Sequence, residues 1–223
     1  MRLTTILALS ALAVVLMVLA PLAAPGADGK PKADAPAWTP LFNGKDLDGW
    51  KATGDAAWKV EDGCLTGVPV EAKGGDLYTT QEFDNFEIRF TYKAVWPTNS
   101  GVWFRTQYQF DILDWKDPVA FSGTLYCPGK MFITANLDKT IEDREGWNEG
   151  QIYANGDKII LWLNGKKTGE CTDKTFAKGK VGIQVHGGKE FEKMKIAFKR
   201  IEIRPLKEGD APSAPATPKK DAK

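Results

Sequence analysis

The segment NSGVWFRTQYQFDILD, residues 99–114, alternates between apolar and polar side chains as a β-strand pair does. Successive side chains of a strand point to opposite faces. The apolar set expected on one face is Val102, Phe104, Phe110 and Ile112. The set expected on the other face is Trp103, Arg105, Gln107, Gln109 and Asp111. A soluble sheet can have one wet face, but an aromatic ring, a cation, amides and a carboxylate in one row indicate a binding surface.

The same period of two recurs along the chain. Residues 86–95 (FEIRFTYKAV) alternate strictly, and residues 179–188 and 194–206 supply two further strands. A skip in the alternation between Phe198 and Ile201 predicts a β-bulge. Many short strands joined by glycine-containing turns favour an all-β fold, with two antiparallel sheets packed as a jelly-roll sandwich.

Two local features add to this prediction. Residues 158–170 contain an apolar run, then Asn164-Gly165, then a polar return. Asn-Gly is a strong signal for a type I′ hairpin turn because both residues tolerate a positive φ. A short helix is expected around residues 140–145.

The first 27 residues have the composition of a secretory signal peptide. Arg2 precedes an apolar run from Ile6 to Leu19, which is followed by Pro21 and small residues. An uncleaved membrane anchor is the rival interpretation, but the run is short for a bilayer span of about 20 residues. We therefore expect export to the periplasm or the cell exterior, with no membrane attachment after the signal is removed.

Composition also divides the rest of the chain. Residues 28–37 are predicted to be a flexible linker, and residues 38–206 to be the folded domain. Residues 207–223 are rich in Pro, Ala, Ser and Lys without an apolar period, so they are predicted to be disordered.

The overall composition excludes several functions. A net charge of +1 over 223 residues gives no electrostatic support for binding nucleic acid. Serine-hydrolase, P-loop and dinucleotide motifs are absent from the sequence. The 8 Trp residues suit stacking on sugar rings, and equally the filling of a sandwich core. Cys64, Cys127 and Cys171 allow at most one disulfide and are otherwise small buried apolar residues.

The polar row in residues 99–114 supplies the main site candidates. If Thr106, Gln107 and Tyr108 form a three-residue loop, or if the strand simply continues, Arg105, Gln109 and Asp111 share a face. A two-residue loop would set Arg105 opposite them, but Thr-Gln-Tyr lacks turn residues, so the shared face is preferred. An arginine beside amide and carboxylate groups can hold vicinal hydroxyls or stabilise an oxyanion. A cross-strand ion pair would also explain Arg105 and Asp111, but not why Trp103 joins them.

The stretch QFDILD, residues 109–114, has a second interpretation. Two carboxylates three residues apart, preceded by an amide, are similar to the ExDxxE strand of laminarinase-type glycoside hydrolases, where the first carboxylate is the nucleophile. Here Gln109 occupies the nucleophile's position, and Asp114 ends the motif. An amide is a poor nucleophile, so ordinary double displacement is not favoured.

His186 is the single histidine of the chain and lies at a strand end before two glycines. Glycines allow a ligand to approach the backbone closely, and histidine can act as acid, base or metal ligand. One histidine argues against a His-rich metal site. No cofactor is predicted, and a divalent cation bound by carboxylates stays open as an alternative.

Two further segments contribute candidates for substrate binding. Trp147 and Asn148 lie in a turn before a predicted strand, where a Trp can form a cleft wall or close the end of a sandwich. Tyr126 and Lys130 lie in GTLYCPGKM, with packing at the rim as the alternative.

Several motifs together resemble one bacterial family. They are LFNGKDLDGW, GDLYT, FDNFEIRFTYK, NSGVWFR, DILD, GWNEGQIYANGDKIILWLNGK and GKVGIQVHGG, followed by FKRIEIRPL. In this order they resemble the 3-keto-disaccharide hydrolase domain family, also called DUF1080, over essentially all of residues 38–206. The resemblance implies a concanavalin A-like jelly roll and cleavage of glycosides that are already oxidised at C3 of the sugar.

The resemblance also implies roles for particular residues. A 3-keto group acidifies the C2 proton, so a base can remove it while the C1 substituent departs. Arg105, in NSGVWFR, would stabilise the oxyanion, and His186, in QVHGG, would be the base or acid. Asp111 and Asp114 would orient the sugar or assist proton transfer.

This chain departs from the family pattern at several positions. Gln109 stands where the family usually has a glutamate, Asp111 where it has a glutamine, and Val185 where it has an aspartate. These changes keep a second hypothesis open, a carbohydrate-binding module without turnover. A laminarinase-like glucanase is the third.

Overall fold

The computed structural model describes residues 37–218. The expected signal peptide and most of the linker lie outside the described residues. Between residues 37 and 218, no helix is long and apolar enough to cross a membrane.

Within residues 37–218, fifteen strands form two antiparallel sheets, which confirms the predicted fold class. The eight-stranded sheet runs in the order β13, β12, β11, β6, β15, β4, β3, with β1 paired to β15. Its members are β1 (Thr39–Pro40), β3 (Ala57–Glu61), β4 (Cys64–Val68), β6 (Phe86–Val95), β11 (Asn148–Asn155), β12 (Lys158–Leu163), β13 (Lys166–Thr172) and β15 (Lys195–Pro205).

The seven-stranded sheet runs in the order β10, β9, β8, β7, β14, β5, β2. Its members are β2 (Trp50–Gly54), β5 (Gly75–Phe83), β7 (Asn99–Phe104), β8 (Tyr108–Lys116), β9 (Val119–Cys127), β10 (Met131–Asn136) and β14 (Gly179–Val185). One 3₁₀ turn, Lys189–Phe191, follows β14.

The core lies between the two sheets and follows the predicted alternation. Phe90 of β6 packs edge to face on Phe110 of β8, with ring centroids 5.1 Å apart. Phe86, Ile88 and Ile112 are fully buried beside them. Because these residues face inward, their neighbours in sequence face outward on both sheets.

The predicted bulge is confirmed in β15. The pairing of β15 with β6 shifts between Phe198 and Arg200, so Phe198 and Ile201 both reach the core although three positions separate them. The extra residue restores the inward face after the break in alternation.

The helix expected at residues 140–145 is wrong, because the segment consists of turns and bends. The carboxylate of Asp138 accepts the N–H of Thr140, and that of Asp143 accepts the N–H groups of Glu145 and Gly146. Short side chains that bond nearby backbone N–H groups compete with helix formation.

Residues 207–218 are a second departure from expectation. Their composition predicts disorder, but they lie along the outer face of the eight-stranded sheet and bond to its side chains. At the other end of the described chain, Trp38 lies on the same face, 4.2 Å from the guanidinium of Arg89. Residues 219–223 lie outside the described residues.

The Asn-Gly hairpin is confirmed between β12 and β13. Leu163 pairs with Lys166, and both loop residues have positive φ, 50° for Asn164 and 82° for Gly165. The Asn164 amide donates to Ile141 O and Asn148 Oδ1 and accepts the N–H of Glu149. This side chain therefore links the hairpin to the preceding loop.

Replacing Asn164 by Ala should lower the free energy of unfolding by roughly 2–3 kcal/mol, because Ala is strained at positive φ and cannot make the three bonds. Urea denaturation would measure the loss. Asn164→Gly keeps the permissive backbone and removes only the side chain, so it should lose less. Equal losses in both variants would contradict the contribution assigned to backbone strain.

Candidate functional site

A hollow of about 260 Å³ opens on the outer face of the seven-stranded sheet. Its walls include aromatic, amide and carboxyl side chains, which are Trp103, Gln109, Asp111, Trp115, Tyr126, Phe132, Gln184 and His186. None of the residues that line the hollow is a Lys or an Arg.

Strand register explains why side chains from β7, β8, β9 and β14 meet here. Trp103 of β7 pairs with Gln109 of β8, and Gln109 pairs with Tyr126 of β9. Along the next row, Gln184 of β14 pairs with Gly101, and Gly101 pairs with Asp111. Residues directly opposite on antiparallel strands point to the same face, so each row presents its side chains to the hollow.

Gly101 leaves the space that the Gln109 side chain occupies. A Cβ at position 101 would lie 2.6 Å from Gln109 Cγ and 2.7 Å from Phe110 O, which is too close. The missing side chain therefore lets the amide of Gln109 lie across the neighbouring strand.

Gln109 and Asp111 are buried without their full set of partners. Asp111 is 2% exposed and Gln109 is 3% exposed. Asp111 Oδ2 and Gln109 Nε2 have no hydrogen-bond partner among the described residues. Buried polar atoms are rarely left unpaired, and both residues line the hollow, so a ligand with hydroxyl or carbonyl groups would satisfy them.

Burial also changes the acidity of Asp111. Loss of water around the carboxyl raises the pKa of Asp111 well above its ordinary value. A carboxyl with a raised pKa can hold a proton at higher pH and donate it to a ligand. Asp111 is therefore suited to act as an acid.

Asp76 is a member of this region that the sequence analysis missed. It lies on β5 opposite Gln184, and its Oδ1 accepts the indole N–H of Trp103 at 2.8 Å. Burial raises the pKa of Asp76, while the bond from Trp103 and the nearby His186 lower it. The only sequence signal was its position in the GDLYT motif, two residues before Tyr78 on the same face of β5.

His186 stands at the rim of the hollow with an exposed side chain. Its Nδ1 lies 2.5 Å from Gly187 O, and its ring packs edge to face on Phe191 at 5.6 Å. The backbone N–H of His186 donates to Asn99 O, which fixes the strand end. The imidazole is therefore held at the opening of the hollow.

Arg105 does not face the hollow, so the expected meeting of its guanidinium with Asp111 and His186 is wrong. Arg105 and Thr106 have positive φ, 47° and 66°, and residues 105–107 form the loop between β7 and β8. The strand alternation ends at Phe104, so Arg105 leaves the row. It is 1% exposed.

The guanidinium of Arg105 joins three loops at one end of the sandwich. It donates to Asp84 O at 2.9 and 3.0 Å, to Gly156 O at 2.9 Å and to Phe176 O at 3.2 Å. A weaker contact reaches Asn85 Oδ1 at 3.4 Å. Arg105 is therefore a structural residue in this fold.

Asp114 and Lys130 also lie outside the hollow. Asp114 faces away from the row of Asp111 and pairs with Arg144 at 2.5 Å. Lys130 pairs with Asp173 at 2.5 Å and contacts Thr175. Their charges are thus used in ion pairs.

Asn148 is the first residue of β11 in the other sheet, and Trp147 immediately precedes it. The Trp147 ring contacts the ammonium of Lys199 at 4.7 Å. Asn148 is buried and bonds Asp143 and Asn164. Of the ten sequence candidates, the structure brings five together in the hollow, namely Trp103, Gln109, Asp111, Tyr126 and His186.

The described residues hold no group of three or more His, Cys, Asp or Glu side chains that could bind a metal ion. Cys64, Cys127 and Cys171 are free thiols, and burial raises the pKa of each.

The fold is a jelly-roll sandwich of the lectin-like class, and the hollow on one of its sheets is the candidate ligand site. Residues 37–204 match the model of the 3-keto-alpha-glucoside-1,2-lyase-like domain family. The chain belongs to this family, and the resemblance drawn from its motifs is confirmed.

Individual relatives support the same assignment. A Bacteroides thetaiotaomicron protein named 3-keto-disaccharide hydrolase is 32% identical over 84 residues, covering 33% of this chain and 29% of that protein. The match thus spans less than a third of that relative's length.

Solved structures agree with the fold. A proposed glycosyl hydrolase of Parabacteroides distasonis superposes with a TM-score of 0.59 at 24% identity, covering 76% of this chain and 94% of that one. A Bacillus subtilis protein with a galectin-like fold gives 0.58 at 14% identity, covering 76% and 94%. The B. subtilis carbohydrate-binding module CBM66 gives 0.53 at 14% identity, covering 70% and 95%.

Replacing Arg105 by Met should lower the free energy of unfolding by about 3 kcal/mol, because Met fills the space but leaves three backbone carbonyls without donors. Urea denaturation would measure it. Lys158→Met, an exposed cation of the other sheet paired with Glu170, is the control and should change stability little. Wild-type stability in Arg105→Met would contradict the structural role.

Asp111 should make stability depend on pH. Its pKa is raised in the folded state, so between the ordinary value of 3.8 and the folded value the native state binds more protons than the unfolded state. Stability should therefore fall as pH rises through this window, by up to about 1.4 kcal/mol per pH unit.

In the Asp111→Asn variant, the free energy of unfolding should not show the decrease with rising pH that is due to Asp111. The measurement is the difference in free energy of unfolding between variant and wild type from pH 4 upward, which cancels the contributions of other carboxyls. A difference that stays constant with pH would show that the Asp111 pKa is not raised.

Proposed function

We propose that the chain is a glycoside-cleaving enzyme that acts on 3-keto-glycosides by elimination followed by hydration. Membership of the 3-keto-alpha-glucoside-1,2-lyase-like family supports this class of substrate. The observation that carries the proposal is that Gln109 and Asp111, which line the hollow, each hold a buried polar atom without a partner, Nε2 and Oδ2.

The reaction needs a base, an acid and a donor to the ketone. The base removes the proton from C2, the electron pair forms a C1=C2 double bond, and the C1–O bond breaks. The departing oxygen takes a proton from the acid. Water then adds its oxygen to C1 and a proton to C2, which restores the C1–C2 single bond and gives the free 3-keto sugar.

The residues of the hollow can be matched to these needs. The unpaired amide N–H of Gln109 would donate to the ketone oxygen, where negative charge develops. Asp111, with its raised pKa, would protonate the leaving oxygen. His186, exposed at the rim, would take the C2 proton, since an imidazole can act as a general base.

Aromatic side chains would bind the sugar faces. Trp103 is fixed by its bond to Asp76 and by an edge contact with Tyr126 at 6.2 Å. A fixed indole and phenol ring offer flat apolar surfaces to the C–H groups of a pyranose. The hollow lies near the lower limit of small-molecule sites, which suits one sugar ring with the second outside. Export from the cell, which the N-terminal sequence suggests, belongs to the same proposal.

The protein should release 3-keto-glucose from a 3-keto-disaccharide and leave the unoxidised disaccharide intact. Asp111→Asn should lower kcat roughly 100- to 10,000-fold, as expected when a positioned acid is lost. His186→Gln should also lower kcat, because an amide cannot accept the C2 proton. Both are measured by chromatography of the released sugar.

Trp147→Ala is the matched control, because Trp147 immediately precedes β11 of the other sheet; its activity should equal that of wild type. Full activity of Asp111→Asn would remove Asp111 from the mechanism. Cleavage of unoxidised β-glucan would contradict the elimination chemistry and favour a glucanase.

A carbohydrate-binding module is the second candidate function. It is favoured by the amide at Gln109, where the family pattern has a glutamate, because an amide cannot transfer a proton as a base. Binding of the 3-keto-disaccharide by wild type without release of product would support this function over catalysis.

A further inference from the structure

The outer face of the eight-stranded sheet carries a carboxylate that is fully buried. Glu87 alternates with the core residues Phe86 and Ile88, so it points outward, yet it is 0% exposed. Its Oε2 pairs with Arg204 of the neighbouring strand. Its Oε1 accepts the amide N–H of Gln151 at 3.1 Å. Because Glu87 points away from the core and is still inaccessible to solvent, another part of the chain must cover it.

The cover is the C-terminal segment, residues 207–218. Ser213 donates both its backbone N–H, at 2.9 Å, and its hydroxyl, at 3.2 Å, to Glu87 Oε1. Three residues later, the N–H of Ala216 donates to Gln151 Oε1 at 2.8 Å. Glu87 and Gln151 therefore accept hydrogen bonds from two backbone N–H groups of the segment.

Aromatic residues complete this face. Tyr153, Ile160, Trp162 and Leu206 form a buried cluster that is separate from the main core. The hydroxyl of Tyr153 donates to Asp210 O at 2.8 Å, and Asn155 donates to Lys207 O at 2.9 Å. The face thus combines apolar rings with fixed polar groups, as peptide grooves do.

The sequence of the segment fits such a groove. Pro212, Pro215 and Pro218 recur at every third position. Three residues complete one turn of a polyproline II helix, so the prolines share one side while Ser213 and Ala216 share another. Proline has no N–H to leave unpaired and presets an extended backbone. Aromatic-lined grooves that bind Pro-rich extended segments are an established mode of recognition.

We propose that the outer face of the eight-stranded sheet is a second binding site, distinct from the hollow, for an extended Pro-rich peptide with small residues, and that residues 207–218 occupy it in the same chain. Glu87 and Gln151 select two N–H donors three residues apart, and the aromatic cluster supplies the apolar floor. A Pro-rich segment of another protein would have to displace this intramolecular ligand.

The first test is amide exchange in the full chain. Ser213→Pro removes the N–H and the hydroxyl that Ser213 donates to Glu87, while proline is compatible with an extended backbone. The Ala216 N–H should therefore exchange at least tenfold faster than in wild type. Ala214→Pro is the matched control, since no described residue accepts its N–H, and Ala216 should stay protected. The proposal would be overturned if the Ala216 N–H of wild type exchanged as fast as in an unstructured peptide. It would also be overturned if this N–H exchanged at the same rate in the two variants.

The second test uses a labelled synthetic peptide of residues 208–218 and fluorescence anisotropy. The Ser213→Pro chain, with its own segment released, should bind the peptide at least tenfold more tightly than wild type does. Equal binding to both, or binding to neither, would overturn the proposal. Protection of Ala216 that rises with protein concentration would overturn the same-chain assignment, because the segment would then bind to a second copy.

Discussion

The contact between Phe90 and Phe110 across the two sheets sets the geometry on which the candidate site depends. Once Phe110 and Ile112 face the core, Gln109 and Asp111 must face outward, because a strand has a period of two. A slip of one residue would bury the amide and the carboxyl in the sandwich and expose two large apolar side chains. The core thus holds the polar row in place.

The outward row is itself largely buried, and this gives it chemical character. Rings from neighbouring strands surround Gln109 and Asp111, so water that would solvate a carboxylate is excluded. The same exclusion that raises the pKa of Asp111 leaves Gln109 Nε2 without a partner. Both features lower the stability of the free protein. A ligand that supplies the missing hydrogen bonds would recover this free energy on binding.

The sequence predicted those parts of the structure that depend on local alternation. The two sheets, the Asn164-Gly165 hairpin, the bulge after Phe198 and the outward positions of Gln109 and Asp111 all follow from neighbouring residues. Arg105 was misplaced because two residues with positive φ end the alternation at Phe104, and nothing in Arg-Thr-Gln signals such a turn. Asp76 reaches the hollow region only through the pairing of β5 with β14, which the sequence does not reveal.

Both ends of the described chain lie on the sheet that faces away from the hollow. Trp38 rests against Arg89 there, and the segment that carries Ser213 crosses the same face. Any tether, whether to another domain or to a surface, would therefore hold the molecule from behind. The opening of the hollow would then face away from both attachment points.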